Sequence, residues 1–349
     1  MLHPQSIIVP LFALPASFLG VCPFIIQTKA RNLPAATLIG GFILANTFNF
    51  LNALLWPTNI GKDSYNGVGL CDVEAKLYMG ITACVSGATA SIFRQLAHTV
   101  DSSRIGNSES DRQLLCTRVF YVSTCIAFPV YLMAVHYVVQ PDRYILRPVY
   151  GCTTSIYPGW VAILVWGMWP VIMYVMATGY GVVASCRILK HRREVRSILT
   201  ESRTTKSRYY RLFTIATLLL IFNLPLSVWL LCLNLSWKLK PYQWDRVHPP
   251  DWSRMIRRLK WDDLNPGNAV DRYLQIAAGY ILFMFFGLGD DAKAIYTAWI
   301  GAMFTVVRRW KWRPRRQLWA PTQQLDLSAT NIDLTTRGPA STRKEHIGS

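Results

Sequence analysis

"SIIVPLFALPASFLGVCPFII", residues Ser6–Ile26, contains no Asp, Glu, Lys, Arg or His. A helix of about 20 such residues is long enough to cross the hydrocarbon core of a bilayer. Six further apolar blocks of similar length follow: Ala35–Trp56, Val73–Phe93, Leu115–Val138, Gly159–Cys186, Leu212–Leu235 and Val270–Gly289. Over the whole chain of 349 residues, 52% are hydrophobic and only 16% charged. Soluble domains carry nearer 25% charged residues. The pattern predicts an all-α membrane protein, a seven-transmembrane helix bundle over residues 1–291 whose two ends lie on opposite sides.

Orientation follows from the basic residues, which concentrate on the cytoplasmic side of spans. The first six residues carry no Lys or Arg, whereas Lys29 and Arg31 follow the first span directly. With the N-terminus outside and the C-terminus inside, the inner segments hold 25 of the 37 Lys and Arg residues. The long outer loop Ser236–Arg272 is an exception, carrying eight of the remaining twelve together with five acids. The start of the chain lacks a basic n-region and a small-residue cleavage site, so it reads as an uncleaved first span. A multi-pass protein in the plasma membrane is expected. The net charge of +18 is accounted for by a basic rim facing anionic membrane lipid, with no nucleic acid required.

After the seventh span stands "GLGDD", Gly287–Asp291, which resembles the metal-holding turn of template-copying polymerases. The segments that would build a polymerase palm are absent, so no metal is assigned. The glycines suit a helix exit, and Asp290 suits the N-terminus of a following helix. Residues 292–313 are too short to cross and carry Trp299, Trp310 and Trp312, which fits an interfacial amphipathic helix. Residues 314–349 are polar and rich in Thr and Ser, the composition of a disordered cytosolic tail.

Span centres without Asp, Glu, Lys or Arg argue against an ion or proton pathway, and the halves show no repeat of the transporter kind. Zinc, nucleotide and hydrolase motifs are missing, so neither an enzyme nor a cofactor is indicated. Within the third span Ala83, Gly87 and Ser91 recur every four positions, the small-residue spacing of closely packed membrane helices. Among eight cysteines only Cys71 and Cys152 fall in outer segments, where an oxidising compartment favours one disulfide; the alternative is a reduced packing role for each. Asn234-Leu235-Ser236 is a glycosylation sequon close to the membrane.

Local motifs narrow the class. "NALLW" (Asn52–Trp56), "LCDVEAKLYMG" (Leu70–Gly80), "PVYLMAVHYVVQPDRYILRPVYGC" (Pro129–Cys152), "SRYYRLF" (Ser207–Phe213), "NLPLS" (Asn223–Ser227) and "FMFFGLGDDAKAIY" (Phe283–Tyr296) occur in that order along the chain. Together with Asn32 and Trp169-Pro170 they resemble the fungal mating-pheromone receptors that recognise lipidated a-factor-type peptides, the class D G-protein-coupled receptors. The resemblance implies a receptor for a farnesylated peptide pheromone that signals through a heterotrimeric G protein to a mating MAP-kinase pathway. Another seven-span receptor, or a multispan transporter, is the alternative; a homodimer is left open. It further implies an outer ligand site, for which Trp56, Lys76, His136, Tyr157, Trp160, Trp244 and His248 are the candidates. Each could equally be an interfacial anchor or a packing residue. Candidates for the face toward the G protein are Arg94, Arg192, Arg193, Arg208, Arg211 and Asp290, although a basic inner loop also follows from topology alone.

Overall fold

Seven long helices follow one another in the computed structural model, which describes residues 3–61, 64–101, 110–190, 203–236, 239–261, 270–289, 292–293, 295–299 and 301. For residues 203–208 and 234 only the backbone is described. The helices are α1 (Gln5–Lys29), α2 (Leu33–Leu55), α3 (Leu70–Thr99), α4 (Asp111–Val139), α5 (Trp160–Lys190), α6 (Arg203–Ser236) and α7 (Val270–Phe286). All but α3 and α7 contain segments long and apolar enough to cross a membrane. The α3 sequence is diluted by Gly, Ala, Ser and Thr, and α7 is only 17 residues long.

Local chemistry sets the ends. The α1–α2 turn closes where the Asn32 side chain accepts a hydrogen bond from the Ala35 amide at 3.4 Å, with Pro34 in the first turn, where its missing donor costs nothing. Gly69 enters α3 at φ 87°, and its amide donates to the Asp72 carboxylate at 3.0 Å. Helices α4 and α5 each contain a π-helical stretch, Ser123–Ala127 and Ile163–Gly167, shortly before Pro129 and Pro170. A proline cannot donate to the preceding turn and its ring pushes that turn's carbonyl aside, so a widened turn relieves both faults.

The core gathers on α3. Ile92, Phe93 and Leu96 of α3 pack with Leu38, Ile39 and Phe42 of α2, Ala177 of α5, Ile215 and Ala216 of α6, and Leu282 and Phe286 of α7. The small-residue face of α3 receives the π stretch of α4. A Cβ at Gly87 would overlap the Thr124 carbonyl oxygen, and Ser91 Oγ lies 2.6 Å from Thr124 Oγ1.

Above the helices lies a three-stranded sheet of β1 (Tyr144–Arg147), β2 (Gly151–Thr153) and β3 (Ile256–Arg258), in the order β2-β1-β3. β1 and β2 form an antiparallel hairpin, while β1 and β3 run parallel with Tyr144 opposite Ile256. The hairpin turn points down into the bundle. Val149, at φ 64°, is fully buried, and it clusters with Tyr150, Val9, Ala13, Ala53 and Ile276. A β-branched residue in the left-handed region is strained and persists only where its surroundings over-determine it. Here the Val149 amide donates to the Trp56 carbonyl at 2.7 Å.

Residues 292–293 and 295–299 are helical, but most of the expected interfacial segment 292–313 and all of 314–349 fall outside the described residues.

Candidate functional site

The ends of α2, α3 and α7 nearest the sheet meet around a buried polar network. Asn46, Asn49 and Asn52 occur every three residues along α2, which places them on one helix face, and all are buried. Asn46 Nδ2 donates to the Gln275 carbonyl at 3.2 Å, and Asn49 Nδ2 donates to Gln275 Oε1 at 3.2 Å. Asn52 Nδ2 donates to Glu74 Oε1 at 2.6 Å and to the Tyr150 carbonyl at 3.2 Å. A Cβ at Gly151, which has φ 64°, would collide with the Asn52 side chain, so the hairpin can only approach α2 so closely with a glycine there.

Arg272 of α7 is the centre of this network. It is 1% exposed, donates to Asn49 Oδ1 and to the Cys152 carbonyl at 3.1 Å each, and lies 4.0 Å from Glu74 and 3.8 Å from Asp271. Its guanidinium stands 4.8 Å from the centre of the Tyr78 ring, and the Tyr78 hydroxyl donates to Asp271. A buried arginine is tolerated only when paired and hydrogen-bonded in this way. The network thus ties α7 to α2, to α3 and to the hairpin.

Cys71 and Cys152 are joined by a disulfide that anchors the hairpin to the top of α3. Beside it Arg143 grips Asp72 with two bonds of 2.6 Å and donates to the Ser253 carbonyl at 2.9 Å, holding the later loop as well. Two parallel N–H to oxygen bonds are the strong form of this pair.

A second cluster lies between α3 and the end of α4. Lys76 Nζ donates to Gln140 Oε1 at 2.7 Å and lies 3.2 Å from His136 Nδ1, while His136 Nε2 is 3.1 Å from the Ser155 carbonyl. Over it sits an aromatic group. Tyr137, Trp244, His248 and Trp252 stack or meet edge to face, with His248 4.2 Å from Trp244 and 4.5 Å from Tyr137. His248 Nε2 donates to the Tyr137 carbonyl at 2.9 Å, and Trp252 Nε1 to the Gln140 carbonyl at 2.8 Å. Burial holds the His248 imidazole below its ordinary range; the Lys76 charge adds to this and the bond to Tyr137 opposes it.

Lys76, His136, Trp244 and His248 are therefore brought together. Tyr157 is next to them, buried, with its hydroxyl donating to the Pro241 carbonyl at 3.3 Å. Trp56 stands apart: it is 2% exposed, packs with the disulfide, and donates from Nε1 to the Tyr65 carbonyl at 2.8 Å. Trp160, more than half exposed, opens α5. Residue counting passed over the asparagine face of α2 and treated Arg272 as the last charge of a loop. The three-residue recurrence of Asn in an otherwise apolar span was the signal available.

At the other end, Arg94 lies 4.3 Å from the centre of the Phe120 ring, and Arg211 donates to the Phe285 carbonyl at 3.1 Å, closing the last turn of α7. Arg192, Arg193 and Asp290 lie outside the described residues, as does the side chain of Arg208. Among the described residues no group of three His, Cys, Asp or Glu side chains could hold a metal ion.

Residues 8–306 match the family model described as pheromone A receptor. The chain is 25% identical over 284 residues to the pheromone a factor receptor of Saccharomyces cerevisiae, covering 80% of this chain and 58% of that one. It is 23% identical over 308 residues to the pheromone B alpha 3 receptor of Schizophyllum commune, covering 85% and 48%. With pheromone receptor 1 of Mycosarcoma maydis it shares 22% identity over 304 residues, covering 83% and 82%. The chain spans about half the length of the first two of these relatives.

Proposed function

The chain belongs to the pheromone A receptor family, and on that premise we propose that it is a G-protein-coupled receptor for a farnesylated peptide mating pheromone. It crosses the plasma membrane seven times, as α1 to α7, with the N-terminus outside and the C-terminus inside. The ligand binds at the outer face, near Lys76, His136, Tyr157, Trp244 and His248, with Trp160 at the membrane edge and Trp56 supporting the hairpin from behind. Its stronger affinity for one arrangement of the helices shifts the population toward that arrangement. The inner face, with Arg94, Arg192, Arg193, Arg208, Arg211 and Asp290, then engages a heterotrimeric G protein that feeds a mating MAP-kinase cascade.

The observation that carries this reading is the extent of the family match, which runs from the first turns of α1 to beyond α7 and so takes in both faces. The buried Arg272 network supports it, because it joins α7 to the hairpin over the outer mouth. Expressed in yeast lacking its own receptor of this type, with a transcriptional mating reporter, the chain should respond to one or more farnesylated peptides. Silence toward every such peptide, with normal surface expression, would count against the reading.

A further inference from the structure

Four carboxylates of the face that carries the sheet already have partners. Asp72 is held by Arg143 at 2.6 Å, Asp142 by Arg257 at 2.9 Å and by the Ser155 hydroxyl at 2.7 Å. Glu74 and Asp271 belong to the Arg272 network. Lys76 is different, for among the described residues no carboxylate oxygen comes within salt-bridge distance of it. Its two partners are neutral. Ser155 offers His136 Nε2 only a carbonyl, so that nitrogen carries the ring proton and Nδ1 is an acceptor. Lys76 therefore donates to His136 and to Gln140, and one of the three donors of its ammonium remains.

A half-buried cation that meets only neutral acceptors is costly where an apolar side chain would pack as well. The box around it is also rigid. Gln140 Nε2 donates to the Arg143 carbonyl at 2.6 Å, and its own carbonyl is fixed by Trp252. Lys76 Nζ stands 5.8 Å from the centre of the Tyr137 ring. Tyr137 and Trp244 next to it are 41% and 50% exposed, so an open apolar shelf adjoins a cation held ready. Rigid donors beside exposed rings suit a ligand that carries an anionic oxygen close to a greasy group.

We propose that Lys76 is the charge-reading residue of the ligand site, and that it pairs with a side-chain carboxylate of the peptide while the adjoining lipid lies on the Tyr137–Trp244–Trp252 shelf. This rests on the lipopeptide reading above. Gln140 and His136 are positioning residues that aim the ammonium.

The test uses the purified full chain in nanodiscs and short peptides ending in S-farnesyl-cysteine amide, so that an introduced Asp is their only carboxylate. Asp, Asn or Lys is placed in turn at each of the three residues before the cysteine, and a second set carries an octanoyl group in place of farnesyl. At one or more positions the Asp peptide should bind at least about tenfold more tightly than its Asn counterpart, the order expected for one desolvated ion pair. Lys76→Met should shrink that ratio to below threefold, Lys76→Arg should keep it, and Lys76→Glu should favour the Lys peptide. Equal affinity of Asp and Asn peptides at all three positions overturns the proposal, as does a preference that survives in Lys76→Met. If anionic phosphatidylserine nanodiscs raise the melting temperature of the wild type but not of Lys76→Met, and Asp and Asn peptides bind alike, the anion is a lipid phosphate and the peptide assignment falls. Charge preference in the octanoyl set, with no binding of any farnesyl peptide, would keep Lys76 and remove farnesyl. Farnesyl peptides that bind regardless of charge would keep the receptor reading and remove Lys76.

Discussion

Replacing Arg272 by Met keeps most of the side chain's volume and removes its charge. Two hydrogen bonds are lost, to Asn49 and to the Cys152 carbonyl. In a membrane bundle each averages about 0.6 kcal/mol, so the bonds alone account for about 1 kcal/mol. The larger effect lies in what remains. Glu74, 1% exposed, keeps one bond from Asn52 but loses its ion pair with Arg272, and among the described residues its second oxygen has no hydrogen-bond partner. Breaking a buried pair in this way costs about 3–5 kcal/mol. For a chain of this size that corresponds to roughly 6–20 °C in the melting temperature of the purified protein, at about 2–4 °C per kcal/mol. Glu74→Gln added to Arg272→Met should restore part of the loss, because the orphaned charge goes with it. A fall of less than about 3 °C for Arg272→Met, or a double variant whose losses simply add, would refute the view that the pair acts as a unit.

Other changes probe other links. Cys71→Ser and Cys152→Ser should each lower surface expression, since a bridge across a separation of 81 residues is worth about 4.5 kcal/mol by loop-closure entropy; free-thiol labelling of both cysteines in the intact wild type would contradict this. Gly87→Val should abolish folding, with a cost above about 3 kcal/mol, because a main-chain oxygen at Thr124 cannot swing aside as a side chain could; wild-type surface levels of the variant would speak against that crossing. Burial holds the His248 pKa in the folded loop below its ordinary value near 6.5. Protons therefore favour the opened loop, and the stability it contributes is present above about pH 6.5 and lost as the pH falls through that value. Tryptic cleavage after Arg246 and Arg254 should quicken at pH 5.5 relative to pH 7.5 in the wild type, beyond any change seen in His248→Gln; identical ratios in both proteins would discount the histidine.

The apolar blocks were legible because a helix in lipid must be apolar along its whole length, and block counting detects that directly. The block count made no use of Asn32 or Gly69, which cap the starts of α2 and α3 in the structure. The lid was not legible. β1 and β3 pair in parallel across more than a whole span of intervening sequence, and nothing in "YILR" or "IRR" specifies that partner. The polar network was hidden for a related reason. Asn is uncharged and so escapes a count of charged residues, and Arg272 looks like a boundary charge until α2, α3 and the hairpin close around it. Trp56 reads as a ligand candidate because it is an aromatic residue at a span end; its burial against the disulfide depends on tertiary surroundings that a span end does not reveal.

The sheet above the bundle also imposes an order on biosynthesis. The β1–β2 hairpin is made before α5, but β3 follows α6, so the second edge of β1 stays open while two further helices are made. An open strand edge is a template for whatever extended chain arrives first. A chain that ends before Ile256 would keep that edge unpaired beside the Cys71–Cys152 bridge. The sheet is therefore complete only once residues 256–258 have been made, which makes closing the lid the last pairing step along the chain rather than a local event.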